Sequence, residues 1–142
     1  MIRDGSKEKE FLEKIRHVKT FRYSYSGFFH PSPDIILSFS NNSFSIKLDY
    51  KNSLSGVMYD ENIDKTSKKY KKEDFVEKLE EANFYEWKKT YSNKDILDGY
   101  AYEIEIEYDN GLKNDLYYGV NKCHSKFKVL KDYINGLIKE LN

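Results

Sequence analysis

The chain has 142 residues, 39% of them hydrophobic, with 24 basic against 24 acidic side chains, 3 His, 2 Pro and one Cys. That length fills one hydrophobic core, so a single domain over 1–142 is expected, and a formal charge of zero gives neither phosphate backbones nor acidic lipid a bulk attraction. The start of the chain is charged where a secretion signal is apolar, no run approaches the ~20 apolar residues that span a bilayer, and one cysteine allows no internal disulfide. The expected setting is cytoplasmic, with no membrane and no nucleic acid as partner.

Between Ser6 and Arg16, Phe11, Leu12 and Ile15 recur at helical spacing among charges, which predicts a short helix or frayed extension over 1–16. From Val18 the period changes to two: Phe21, Tyr23 and Tyr25 alternate with Thr20, Arg22 and Ser24, the mark of a strand with one buried face. Gly27 ends it, Pro31 and Pro33 mark a loop, and a second strand begins near Asp34. If Asn41-Asn42 forms a two-residue turn, Phe39 meets Phe44, Leu37 meets Ile46 and Ile35 meets Leu48, all on one face. The other face then pairs Ser40 with Ser43, Ser38 with Ser45 and Ile36 with Lys47.

Residues 51–71 carry little pattern, apart from Val57-Met58-Tyr59 as a candidate edge strand. The run 65–72, five lysines around Tyr70, reads as a linker rather than a phosphate-binding surface. Phe75, Val76, Leu79 and Ala82 form one stripe and predict a helix over 72–82. Phe84, Trp87 and Tyr91 continue at about that spacing, so either the helix extends or a bent second segment packs its aromatics on the same core. A second hairpin follows Asp98-Gly99. A three-residue loop with Gly111 left-handed is preferred there, because it pairs Tyr108 with Leu112, Ile104 with Leu116, Tyr102 with Tyr118 and Tyr100 with Val120. The rejected two-residue turn at Asn110-Gly111 sets Ile106 against Asp115. Finally Phe127, Leu130, Ile134, Leu137 and Leu141 define an amphipathic helix of about four turns, with Ser125 or Asn121 as candidate cap. The expected fold is α+β and two-layered: an antiparallel sheet of about five strands with two helices packed on one face.

Trp87-x3-Tyr91, Asp98-Gly99-x2-Tyr102, the glycine turn at Gly111, Gly119-x-Asn121 and the helix from Phe127 together resemble a pattern of an uncharacterised family of small bacterial proteins. The resemblance covers roughly the last 60 residues. It departs where Tyr102 stands for a Trp and Cys123-His124 for a Tyr-Pro pair. It implies one compact unit and carries no biochemical activity with it.

Chemistry-bearing residues are sparse. Cys123-His124 beside Asn121 is the one pair that resembles a nucleophile with a base, but adjacent side chains seldom face each other, and an ordinary loop thiol is the stronger reading. No metal site is expected, since His17, His30 and His124 lack the short paired spacings of zinc ligands, and no cofactor is expected because the glycines are scattered singly. Glu103, Glu105 and Glu107 line one strand face, where Asp115 is expected opposite Glu105 and Lys113 opposite Glu107; a solvated surface is the plain reading. The 13 tyrosines suit either a protein interface or core rims with hydroxyls in water. The favoured function is a non-enzymatic protein-binding domain of the immunity, inhibitor or accessory kind, using Glu103, Glu105, Glu107 and Tyr117. The alternative is a small-ligand or cysteine-based site in the 121–124 loop. Monomer and homodimer both stay open.

Overall fold

The computed structural model describes residues 5–27, 30–31, 34–49, 63–64, 69–93 and 99–140. Among these the chain forms β1 (Val18–Gly27), β2 (His30–Pro31), β3 (Asp34–Ser40), β4 (Ser43–Asp49), β5 (Ile63–Asp64), β6 (Tyr70–Lys71), β7 (Thr90–Ser92), β8 (Tyr100–Tyr108) and β9 (Asp115–Val120), with helices α1 (Ser6–Ile15), α2 (Lys72–Glu81) and α3 (Phe127–Glu140). The protein is α+β. Its sheet runs β5-β4-β3-β1-β8-β9-β7, with β2 beside β1 and β6 beside β4. The expectation of about five antiparallel strands and two helices is corrected in three respects: seven strands lie on this path, β7 runs parallel to β9, and α1 adds a third helix. Strands of two or three residues are too short to show alternation, which is why the sequence hides them. Val57-Met58-Tyr59 and Leu141 lie outside the described residues, and the end of the lysine run forms β6 and the start of α2.

The first hairpin takes the register its side chains demand. Ile35 faces Leu48, Leu37 faces Ile46 and Phe39 faces Phe44, with the serines paired behind them. Asn41 turns the corner at φ 57, a left-handed conformation that Asn tolerates. Phe21 and Tyr23 of β1 and Tyr102, Ile104 and Ile106 of β8 extend the same apolar face, which is covered by Phe75 and Leu79 of α2, Leu130 and Ile134 of α3, and Ile15 of α1 in one connected core.

Asn83, at φ 50, ends α2, so the helix does not extend. A single 3-10 turn, Phe84–Glu86, follows, then an extended Trp87 leads into β7. The indole of Trp87 donates to the Ala82 carbonyl at 2.8 Å, which anchors the buried ring to the end of α2.

The second hairpin corrects the preferred register. Ile106 pairs with Asp115, Ile104 with Tyr117 and Tyr102 with Gly119, the frame of the two-residue turn. Gly111 is left-handed as expected, at φ 81. The frame therefore turns Asp115, Tyr117 and Gly119 toward the helices and Leu116, Tyr118 and Val120 away from them. Gly119 is required for this: a Cβ there would lie 2.3 Å from the Tyr102 ring and 2.6 Å from the Lys122 carbonyl.

Candidate functional site

On the sheet face away from the helices, Glu103 and Glu105 of β8 are exposed and Glu107 partly so. β1 lies on one side, with Ser24 opposite Glu103 and Arg22 opposite Glu105. β9 lies on the other, with Tyr118 opposite Glu103 and Leu116 opposite Glu105. Glu107 has a cation, but it is Lys19 at 3.4 Å and not Lys113. Among the described residues, Glu103 and Glu105 form no ion pair. The neighbouring row is apolar and open: Leu116 is 47% exposed, Tyr118 45% and Val120 40%.

Tyr117, expected on this face, lies on the opposite one. Its ring packs 4.7 Å from Phe84, the Lys89 ammonium sits 4.1 Å above it, and burial pushes its hydroxyl up to about 12. Tyr118 occupies the place that the sequence assigns to Tyr117, because β9 sits one residue out of the expected frame.

Sequence reasoning missed a cluster on the same face. The Nε of Arg22 donates to Asp34 Oδ2 at 3.0 Å, and its Nη2 reaches Asp34 Oδ2 at 2.5 Å and Asp49 Oδ2 at 2.8 Å. Asp34 and Asp49 are 5% and 6% exposed. A signal for this existed: the register that joins Ile35 to Leu48 sets Asp34 directly against Asp49, and like charges face to face in a ladder require a cation nearby. Burial lowers the Arg22 pKa, but the two carboxylates outweigh that and raise it overall. Arg22, Ser24, Asp34, Glu103 and Glu105 line a cleft of about 130 Å³.

Asp115, turned inward, is met from three directions. Lys14 Nζ lies 2.7 Å from Oδ2, Lys89 Nζ donates to Oδ1 at 2.7 Å, and the Tyr108 hydroxyl donates to Oδ2 at 2.6 Å. Burial alone would raise this carboxyl, yet the hydrogen bonds from Lys14, Lys89 and Tyr108 hold it down at about 2. A depressed carboxylate stabilises the fold above its unfolded pKa and loses that contribution as pH falls through the folded one. Urea titrations between pH 5 and 2 are therefore expected to show a loss of about 1–2 kcal/mol, discounted for the partial exposure of the site, that is missing from Asp115→Asn.

Cys123 and His124 have different neighbours. Tyr100 is raised above the usual tyrosine range, first by burial and then by the neighbouring Cys123 thiol. The His124 ring stacks 5.9 Å from Trp87, its Nδ1 accepts from the Lys126 N–H at 3.1 Å, and its Nε2 faces Glu86 at 3.5 Å. Among the described residues, no hydrogen bond joins the two. Asn121 is not a helix cap: at φ 58 it accepts from the Tyr100 N–H at 2.9 Å and donates to the Asn93 carbonyl at 3.4 Å. Near Cys123, the hydroxyls of Tyr23 and Tyr102 are buried with no hydrogen-bond partner among the described residues. No group of three His, Cys, Asp or Glu side chains among the described residues is arranged to hold a metal.

Fold and site together describe an α+β protein that buries one sheet face under helices and exposes a mixed acidic and apolar row on the other. No family model, no curated protein and no solved structure matches the chain. Among the described residues, no helix is long and apolar enough to cross a membrane.

Proposed function

We propose that the protein is a non-enzymatic, single-domain binding module of the immunity, inhibitor or accessory kind, acting in the cytoplasm and meeting a protein partner through the outer face of β8 and β9. One observation carries this reading: Glu103 and Glu105, which lack a cation among the described residues, stand directly beside the exposed row Leu116, Tyr118 and Val120. A contiguous apolar patch rimmed by polar residues marks an interaction site more often than an ordinary surface, and tyrosine is enriched in such patches. Glu107 lies at the margin, already matched by Lys19.

The test is affinity capture from a lysate of the source organism, with the tagged protein as bait and the double variant E103K/E105K as control. The partner is expected to be retained by the first and weakened at least about tenfold by the second, because charge reversal on an interface makes like charges meet. Equal retention by both would remove this face. The exposed positions make the variant's melting temperature an adequate check that it folds.

The buried hydroxyls of Tyr23 and Tyr102 near Cys123 favour a second reading, a small polar ligand held between sheet and α3. A small-molecule thermal-shift screen in which stabilisation disappears in Tyr102→Phe would support it over the binding face.

A further inference from the structure

Resting on the binding-face reading, we infer that the element of the partner that docks here is a basic amphipathic α-helix. β8 is paired on both sides, by β1 and β9, and β9 by β8 and β7. An added strand lying on this face finds no free ladder to join, and its own N–H and C=O groups would lose water without gaining partners. A helix satisfies its backbone internally and presents only side chains.

Residues two apart on a strand stand about 6.6 Å apart, while helix residues four apart stand about 6 Å apart, so basic side chains at i and i+4 reach Glu103 and Glu105 together. The β9 row lies roughly 4.8 Å to the side, which puts the apolar stripe of the same helix over Leu116, Tyr118 and Val120. That row is about 13 Å long, or about nine residues of helix.

Arg22 is held by Asp34 and Asp49, and Lys19 by Glu107. Neither cation is left to answer Glu103 and Glu105, so the charge that completes the face is positive and comes from outside. The cleft of about 130 Å³ over Ser24, between Arg22, Asp34, Glu103 and Glu105, has room for one ammonium or guanidinium head. The partner is thus defined by chemistry as a protein with a Lys- or Arg-bearing amphipathic helix.

The experiment titrates isotope-labelled protein with three peptides of about four turns or equal length: a stapled Lys/Leu amphipathic helix, its Glu/Leu counterpart, and an alternating Lys/Val strand-former. Amide shifts are followed by NMR. The Lys/Leu helix is expected to shift Ser24, Glu103, Glu105, Leu116 and Tyr118, to bind at least about tenfold more tightly than either other peptide, and to lose that margin in E103K/E105K and at high salt. If the strand-former binds the same amides equally well, the helix inference falls and the binding face stands. If shifts appear only elsewhere, for example in the groove between α1 and α2 lined by Leu12, Ile15 and Val76, or none appear, both fall. If the same amides shift with protein concentration alone, the occupant is a second copy of the chain and the inference is overturned.

Discussion

Replacing Arg22 with leucine lowers stability by about 3–5 kcal/mol, a downward shift of roughly 10–15 °C in melting temperature. The guanidinium is the shared counter-charge of two nearly buried carboxylates from neighbouring strands, Asp34 and Asp49. Removing it leaves two negative charges directly opposed in the β3–β4 ladder. The cost comes from that repulsion between nearly buried carboxylates and not from losing a bond of high intrinsic value, since buried ion pairs gain little over apolar replacements. The triple variant R22M/D34N/D49N is accordingly expected to recover much of the loss. Thermal denaturation of both settles the matter: a single variant that melts with the wild type would mean that water already screens the pair.

Phe75→Ala is the second large effect, again about 3–5 kcal/mol. The ring is fully buried, 5.0 Å from Phe21, 4.9 Å from Phe39 and 6.1 Å from Phe44. It therefore joins α2 to three adjacent strands. Truncation leaves a cavity that flat aromatic neighbours on a hydrogen-bonded sheet collapse into poorly, so transfer and cavity costs both apply. Urea unfolding should show a lower midpoint with an unchanged slope, and Phe75→Leu should lose much less. A loss below about 1 kcal/mol for the alanine variant would show that α2 draws its anchorage from elsewhere.

Helices and the first hairpin were legible because each is specified locally. The stripe Phe127, Leu130, Ile134 and Leu137 can only be buried as a helix, and the alternation on both sides of Asn41-Asn42 allows one frame without exposing phenylalanine. The second hairpin failed the same logic. Matching apolar residues across Asp109-Asn110-Gly111 favours the wrong frame, because the true one is fixed by partners far away in sequence: Lys14 and Lys89 meet Asp115, and Gly119 makes room for Tyr102. For the candidate site, alternation alone points to Glu103 and Glu105, but their neighbours depend on that frame, and so the sequence pattern points to Tyr117 where the structure exposes Tyr118. Arg22 escaped notice because it, Asp34 and Asp49 each look like a common surface charge until the strands that carry them are placed side by side.

The β9 strand is built against its own hydrophobicity. Left to apolar burial, Leu116, Tyr118 and Val120 would roll inward by one residue and the carboxylate of Asp115 would turn to water, hiding the exposed row. Three donors gripping one carboxylate act as a latch on the strand's rotation, holding the greasy side out at a standing cost in solvation. The exposure of that row is thus maintained by salt links on the far side of the sheet, and whatever neutralises Asp115 also loosens the frame that keeps the row in water.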